Sequence, residues 1–513
     1  MTRNSAWIAV LAALLGGLAL DLSTPALAIW PAAWLSVALM LFAFWQRTPG
    51  QGFILGLVAG SAFWLPNISW LTLYLGPVPW LALASVMILW MGLMGAGISA
   101  VTRWFPRFTR IKWARSVTLG LVVAGIWVTR EALQSSWPYG GFAWGRLAVT
   151  QVNSPFANLA SWIGFDGLSG LIVLTVATVL AFLLGQSSDL DKKVRLRLAS
   201  SVVAITLLLT FVPVFPQEPV GQRRVGAVQG NSDAGIFSNR QPGDILEDHV
   251  EASLKLKGER LDFLVWPENA ADIDPTRSAR AAADLDFVTE QLDAPLVTGT
   301  ITREDNHDFN SSIVWEQGRG VVDQYDKRRP VPFAEYMPNR AFFRALAPDL
   351  VDLVQLDYTP GSGTSVVEVA GVTAGVAICF DIIFDELAVD MVSQGAELVL
   401  TQSNNADFGR TDENEQQLAI ARLRAIEMGR AIVVISTVGH SAVIDADGRF
   451  LADIEPFTAN AVAFTTPLYQ ATTPAILLGW FVTAVFIAAA SLGLVASLAS
   501  RLRHSRGSSK RFR

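Results

Sequence analysis

The stretch AGVAICFDIIF, residues 374–384, holds the one cysteine of the chain, Cys379, between two apolar runs. The first run predicts a buried strand, and the residues from 383 to 394 predict an amphipathic helix. A cysteine at such a turn can use the backbone amides of the helix start to stabilise a thiolate and later an oxyanion. Cys379 is therefore a candidate nucleophile, although a free cysteine can also be a small buried hydrophobic side chain.

The stretch LVWPEN, residues 264–269, supplies a candidate base, Glu268, directly after another apolar run. A carboxylate placed at the end of a buried strand could accept a proton from a thiol. Open sheets commonly carry their reactive residues at strand ends, in agreement with this interpretation. On this stretch alone, a turn acid or a helix-capping acid is the alternative.

The stretch YDKRRPVPFAEYMP, residues 325–338, combines charge with three prolines. Within it, Lys327 could stabilise an oxyanion as a point charge. Glu335 could orient that lysine or the base. The alternative is a solvated run of charges on a loop that the prolines stiffen.

Residues 222–466 alternate short apolar runs with amphipathic segments, which predicts a layered α/β domain with a mixed sheet. Turn signals separate the runs, such as Asp447-Gly448 between two strand-like runs. The predicted strands are 225–228, 263–266, 296–300, 312–315, 375–378, 398–401 and 432–436, and the predicted helices are 277–292, 383–394 and 412–429.

Charge divides the chain into two parts. Residues 217–470 hold 40 acidic and 20 basic side chains, whereas the rest of the 513 residues holds 5 acidic and 19 basic ones. Only 16% of the whole chain is charged and 51% is hydrophobic, against about a quarter charged in ordinary soluble proteins. The acidic part gives no support to nucleic-acid binding, which requires a basic face.

Metal and disulfide chemistry find little support in the composition. A single cysteine excludes an internal disulfide and any zinc site built on several cysteines. The four histidines form no recognisable ligand cluster along the sequence. We therefore expect no metal and no other cofactor.

Eight apolar segments are long enough to cross a bilayer as helices, which takes about 20 residues. We expect a membrane domain at 1–216 with seven of them, a catalytic domain at 217–470, an eighth span at 471–500 and a basic tail at 501–513. The candidate spans are 6–23, 26–45, 52–73, 80–101, 116–134, 164–185, 198–216 and 474–499.

Most basic residues outside 217–470 lie in alternate connections, which predicts one side for these connections. The opposite connections carry little charge beyond Arg130 and Arg146. Both termini then face the cytoplasm and the acidic domain faces outward. Ala26-Leu27-Ala28 also resembles a cleavage site, so the first span could instead be a signal peptide. The aromatic residues around the turn after span three, including Tyr74, are typical of an interfacial belt. The orienting residues are Arg3, Arg47, Arg103, Arg107, Arg110, Lys112, Arg115, Lys192, Lys193, Arg195, Arg197, Arg501, Arg503, Arg506, Lys510, Arg511 and Arg513.

Taken together, Glu268, Lys327 and Cys379 resemble the catalytic triad of the nitrilase superfamily. The position of the domain, between a seventh and an eighth span, resembles the apolipoprotein N-acyltransferase family in particular, over nearly the whole chain. The stretch QSNN at 402–405 and the helix containing residues 421–427 also look like landmarks of that family, and we interpret the helix as structural.

This resemblance implies an αββα sandwich and a thioester on Cys379. It also implies an acyl donor, a membrane phospholipid, and an acceptor, the free α-amino group of a diacylglyceryl apolipoprotein. The enzyme would lie in a bacterial cytoplasmic membrane with its catalytic domain outside. Glu335, Phe380 and Asp381 are expected to support the triad.

Two stretches depart from the family pattern. Tyr-Glu commonly follows the cysteine, where this chain has Phe380-Asp381, an acid shorter by one methylene. Tryptophan often precedes Phe-Gly in the loop after the Ser-Asn stretch, where this chain has Asp407. We expect that loop to contact lipid, so the second difference bears on the preferred donor.

Two other functions are compatible with parts of the sequence. A nitrilase-type amidase or lipid hydrolase would share the triad, but a soluble amide substrate would not need eight spans. A membrane scaffold or transporter with an inactive domain conflicts with the complete triad. Transport paths also usually show ionisable residues inside the membrane, where Asp166 is the only notable one.

Overall fold

The computed structural model describes residues 3–106, 111–184, 189–236 and 238–509. Arg107, Arg110, Lys510, Arg511 and Arg513, which enter the orientation argument, lie outside these ranges. The chain divides into a helical unit, made of Met1–Thr72, Gly76–Val214 and Leu477–Arg513, and a catalytic unit, made of Leu73–Leu75 and Phe215–Ile476.

The helical unit has a helix at each of the eight predicted spans. Among the described residues, five are long and apolar enough to cross a membrane, namely Pro77–Trp104, Lys112–Gln134, Ala157–Leu183, Lys192–Phe211 and Pro474–His504. Ala6–Leu22 and Pro31–Phe44 are apolar but shorter. The helices themselves run Arg3–Leu22, Pro31–Phe44, Pro49–Asn67, Leu71–Leu75, Pro77–Trp104, Lys112–Gln134, Ala160–Leu183, Lys192–Leu208 and Pro474–Ser509.

The helical unit buries more charge than the sequence suggested. Glu131 is fully buried and accepts hydrogen bonds from Trp127 Nε1 at 2.9 Å and from the backbone N–H of Leu147 at 3.1 Å. Arg146 forms a buried ion pair of 2.7 Å with Asp166. The expectation that Asp166 is the only notable ionisable residue in the spans was therefore wrong, because Glu131 lies buried in the helix Lys112–Gln134.

The catalytic unit contains two six-stranded sheets. Their strands follow one another in the orders β12-β1-β2-β3-β4-β5 and β11-β10-β9-β8-β7-β6. The strands are Gly221–Gln229 (β1), Phe263–Val265 (β2), Leu296–Glu304 (β3), His307–Glu316 (β4), Gly320–Asp326 (β5), Val366–Val369 (β6), Val372–Ile378 (β7), Leu398–Ser403 (β8), Ala431–Ser436 (β9), Ser441–Ile444 (β10), Phe450–Ile454 (β11) and Asn460–Leu468 (β12).

Each sheet has a parallel centre and antiparallel edges. β1, β2 and β3 are parallel to one another, as are β7, β8 and β9, and the outer strands pair antiparallel. All seven predicted strands are present, as are the two runs beside Asp447-Gly448, but they form two mixed sheets rather than one.

Apolar side chains between the two sheets form the main core. Val225 and Val265 from the first sheet pack there with Val376 and Leu400 from the second. Helices cover the outer faces and give the αββα sandwich that the resemblance implied; Leu246 and Leu285 join the outer cluster of the first sheet. The helices of this unit are Asp244–Ser253, Ala279–Leu292, Arg340–Leu346, Pro348–Val351, Asp385–Ser393 and Asp412–Met428.

Candidate active site

Cys379 directly follows β7 and adopts a left-handed backbone conformation, with φ +51°. This conformation costs a residue with a Cβ about 1–2 kcal/mol, and such strain is found most often at functional sites. The side chain of Cys379 is half-buried and packs against the core between the sheets. The segment that follows is a short 3₁₀ helix, Cys379–Ile383, and the predicted α-helix begins only at Asp385.

Lys327 lies one residue beyond β5 and is only 1% exposed. Its Nζ is 3.2 Å from Glu268 Oε1 and 2.9 Å from Glu335 Oε1. Burial alone lowers the pKa of Lys327, but the two carboxylates raise it well above its usual range. The ammonium group therefore stays charged, as an electrostatic role requires.

Glu268 follows β2 and is 5% exposed. Both of its oxygens have donors, since Asn310 Nδ2 lies 2.8 Å from Oε1 and the backbone N–H of Asn404 lies 2.9 Å from Oε2. The turn that carries it packs tightly on Gly299 of β3, where an added Cβ would meet the Glu268 Cα at 2.6 Å. Only glycine fits that close approach.

Glu335 is fixed by its own loop. Its Oε2 accepts from the backbone N–H of Val331 at 2.6 Å, and its Oε1 accepts from Asn310 Nδ2 at 2.8 Å. The charged stretch is therefore only partly a solvated run. Arg328 and Arg329 do reach outward, to ion pairs with Asp390 and Glu386, whereas Lys327 and Glu335 turn inward.

Asn310 is a site residue that the sequence did not indicate. It lies on β4, and its amide joins Glu268 to Glu335. Its backbone carbonyl also accepts from the N–H of Lys327 at 2.8 Å. No local motif marks this asparagine, because its role depends on the pairing of β4 with β3 and β5.

The thiol of Cys379 is electrostatically coupled to this cluster. Burial raises its pKa well above the usual range, and the charges of Glu268, Glu413 and Glu335 raise it further, while Lys327 lowers it. The thiol is therefore protonated in the resting protein. It needs a proton acceptor before it can attack as a thiolate.

Asp381 links the nucleophile turn to the lysine loop. It is fully buried and accepts from Tyr325 OH at 2.7 Å, from the N–H of Arg329 at 3.1 Å and from the N–H of Ile378 at 3.3 Å. Burial raises its pKa to about 6. The shorter acid thus still hydrogen-bonds at this position. Phe380 is half-buried, and its ring meets that of Phe384 edge-on at 5.1 Å.

The helix Asp412–Met428 supports the turn from behind. Arg424, fully buried on it, donates to the carbonyls of Ile382 at 3.0 Å and Ile383 at 2.8 Å. This contact agrees with the structural role expected for residues 421–427. From the same helix, Gln417 Nε2 lies 3.7 Å from Cys379 Sγ, a contact that the sequence did not suggest.

Asp407 and Tyr74 make contacts near the site that the sequence did not predict. Asp407 Oδ1 accepts from the backbone N–H of Ile236 at 2.8 Å, so its carboxylate fixes the segment after β1. Tyr74, within the catalytic unit, has its ring 6.1 Å from that of Phe408. Burial raises the pKa of Tyr74, and the carboxylates of Asp407 and Glu335 add to the shift. Tyr74 is therefore electrostatically coupled to carboxylates of the site.

Comparison with known proteins places the chain in a family. Residues 16–178 match the apolipoprotein N-acyltransferase N-terminal domain, and residues 224–469 match the carbon-nitrogen hydrolase family. The apolipoprotein N-acyltransferase of Mycolicibacterium smegmatis is 33% identical, over 93% of this chain and 83% of that protein. The one of Vibrio parahaemolyticus is 26% identical, over 87% and 88%. A solved carbon-nitrogen hydrolase of Helicobacter pylori aligns with a TM-score of 0.37 and 17% identity, over 52% of this chain and 93% of that one.

The two domain matches follow each other along the chain in the order of the helical and catalytic units. The relative from Mycolicibacterium smegmatis extends through both of them. The chain therefore belongs to the apolipoprotein N-acyltransferase family.

Proposed function

We propose that this protein transfers an acyl chain from a membrane phospholipid to the free α-amino group of the diacylglyceryl-cysteine that begins an apolipoprotein. The observation that carries the proposal is the single cysteine on a strained turn, beside a buried Lys327 held by Glu268 and Glu335. The names of the relatives supply the substrate class.

In the first half-reaction, Glu268 takes the proton of the Cys379 thiol. The thiolate attacks the carbonyl carbon of a phospholipid ester, and Lys327 with a backbone N–H stabilises the tetrahedral oxyanion, each donor by about 3–4 kcal/mol. The carbon–oxygen bond then breaks. The lysophospholipid alkoxide leaves with the proton from Glu268, and the acyl group stays on sulfur as a thioester.

In the second half-reaction, the free amine of the apolipoprotein attacks the thioester carbon. Glu268 removes a proton from the attacking amine, the carbon–sulfur bond breaks, and the thiolate is protonated by Glu268. The product is an amide, and the enzyme returns to its starting state. Because the two substrates visit one site in turn, we expect ping-pong kinetics.

The membrane setting fits both substrates, which are anchored in a bilayer. We propose eight spans in a bacterial cytoplasmic membrane, with both termini in the cytoplasm and the catalytic unit outside. The five long apolar helices and the alternating basic connections support this topology. Accessibility of cysteines introduced at residues 305 and 47, in a Cys379→Ala background, to a membrane-impermeant reagent tests it, because only residue 305 should react in intact cells.

Intact-mass analysis of the protein incubated with phospholipid tests the chemistry. We expect the wild type to gain one acyl mass that hydroxylamine removes, and Cys379→Ala to gain none. Adding a diacylglyceryl peptide should then discharge the acyl group onto the peptide amine. Discharge to free fatty acid alone would favour a hydrolase. If no acyl mass forms on folded, lipid-bound wild type, the thioester mechanism is wrong.

A further inference from the structure

Gln417 is a polar side chain in contact with the reacting sulfur. It lies on the helix Asp412–Met428, is 4% exposed, and its Nε2 is 3.7 Å from Cys379 Sγ. Neither the triad nor the surrounding carboxylates account for this contact. An amide can present to sulfur either its N–H, a donor, or its carbonyl, an acceptor, so the orientation of the amide decides its effect.

A chain of hydrogen bonds supports one orientation, in which the amide N–H of Gln417 faces the sulfur. The backbone N–H of Gly439 donates to Ser436 Oγ at 2.9 Å, and the hydroxyl proton of Ser436 remains available as a donor. That proton goes to Asn405 Oδ1. The Asn405 amide therefore turns its Nδ2 towards Gln417 Oε1, at 3.1 Å. With its oxygen accepting from Asn405, Gln417 directs its N–H at the sulfur.

The second proton of Asn405 Nδ2 supports the same assignment. It goes to Glu413 Oε2 at 2.8 Å, and in its ionised form the carboxylate of Glu413 can only accept. Asn405 and Glu413 are both buried. The contacts with Ser436 and with Glu413 thus agree on one orientation of the Asn405 amide.

We propose that Gln417 is a further catalytic residue, which donates a hydrogen bond to the sulfur of Cys379 and stabilises its thiolate. A thiolate accepts such a bond much more strongly than a thiol or a thioester does. The bond therefore forms fully when Glu268 has taken the proton. It forms again when the thiolate leaves the acyl group, so Gln417 assists both half-reactions of the proposed function, on which this role rests.

Gln417 and Glu413, which lies one turn before it on the same helix, should have opposite effects on the pKa of the Cys379 thiol. The charged groups coupled to the thiol are Glu268, Lys327, Glu413 and Glu335, and of these only Lys327 favours the thiolate. Gln417 adds a neutral donor that favours the thiolate without another charge. Loss of the Gln417 donor and loss of the Glu413 charge should consequently shift the titration of Cys379 in opposite directions.

The rate of alkylation by iodoacetamide as a function of pH measures this titration, and Cys379 is the one cysteine of the chain. We expect Gln417→Leu to raise the apparent pKa of the thiol by about one unit, a tenfold loss of thiolate at a given pH. Gln417→Glu, which keeps the shape but replaces the donor by a carboxylate, should raise it further. Glu413→Gln should lower it.

Gln416→Leu is the matched control, because it makes the same chemical change at the preceding residue, whose side chain lies about 100° around the same helix. This variant should leave the titration of Cys379 unchanged. If Gln417→Leu and Gln417→Glu titrate like Gln416→Leu in folded protein, Gln417 does not donate to the sulfur and the inference is wrong. Alkylation needs no acyl substrate. A shifted titration in a protein that forms no acyl-enzyme would therefore overturn the proposed function but leave the hydrogen bond from Gln417 to the sulfur established.

Discussion

Glu268 and Glu335 direct their Oε1 atoms at the same two donors, the ammonium of Lys327 and the amide of Asn310. The distances are 3.2 and 2.8 Å for Glu268, and 2.9 and 2.8 Å for Glu335. Two carboxylates thus share one cation in a buried site. The remaining oxygens differ, since that of Glu268 meets the N–H of Asn404 and that of Glu335 meets the N–H of its own loop.

This arrangement predicts unequal losses when either carboxylate is made neutral. Glu268→Gln removes the proposed base and should slow acyl-enzyme formation by about 10³-fold, within the range of general-base catalysis. Glu335→Gln leaves the base in place and Lys327 still paired, so we expect a loss of about 10–100-fold. Single-turnover intact-mass measurements give both rates. Equal losses would show that Glu335 is as directly involved in proton transfer as Glu268.

Lys327→Met should destabilise the protein as well as abolish acyl transfer. Methionine has a similar volume but leaves two buried carboxylates without their cation, which typically costs about 3–5 kcal/mol. Adding Glu268→Gln removes one of the unpaired charges. The thermal midpoint should therefore recover in the double variant while activity stays lost. If the double variant is no more stable than Lys327→Met, Lys327 does not stabilise the protein by neutralising these two carboxylates.

Tyr325→Phe tests the link between the lysine loop and the nucleophile turn. The hydroxyl of Tyr325 donates to Asp381 Oδ2 at 2.7 Å, and its loss leaves a buried carboxylate with one donor fewer, at a cost of about 1–3 kcal/mol. Burial raises the pKa of Asp381 to about 6, so the group is mostly protonated at pH 5 and ionised at pH 8. The thermal midpoint should fall more at pH 8 than at pH 5. If the thermal midpoint falls equally at pH 5 and at pH 8, the loss of stability does not depend on the charge of Asp381.

The sequence identified the central strands and missed three of the four edge strands. β5, β6 and β12 are all edges of their sheets. Each of them pairs on one side only. Their residues are incompletely buried, as in β12, where exposed and half-buried residues are mixed with buried ones. Continuous apolar runs mark strands buried on both faces, whereas edge strands have mixed patterns. The Asp447-Gly448 turn signal was what made the remaining edge strand, β11, recognisable.

The residues of the site were also only partly predictable from the sequence, for a different reason. Glu268 and Cys379 are visible in the sequence because each follows an apolar run, and Lys327 because it lies in a charged stretch with three prolines. Asn310 and Gln417 are not, since one depends on the register of β4 and the other on how a helix packs behind the nucleophile turn. Such contacts join residues far apart in the chain, and no local pattern encodes them.

Glu413 should make the stability of the protein depend on pH. Burial raises its pKa from 4.5 to about 7, although the hydrogen bond from Asn405 opposes the shift. A carboxyl group with a raised pKa contributes stability that is fully present below about pH 4.5 and is lost as the pH rises through 7. Between those limits the loss amounts to about 3 kcal/mol.

Glu413→Gln, which cannot ionise, removes this loss. Relative to wild type, its thermal midpoint should therefore rise by several degrees between pH 4.5 and pH 8. Glu415→Gln is the matched control on the same helix, because the hydrogen bond from His440 lowers the pKa of Glu415. That variant should lose stability, relative to wild type, as the pH rises through the acidic range, the opposite slope. If the difference between wild type and Glu413→Gln does not change with pH, Glu413 is not the buried acid that titrates near neutrality.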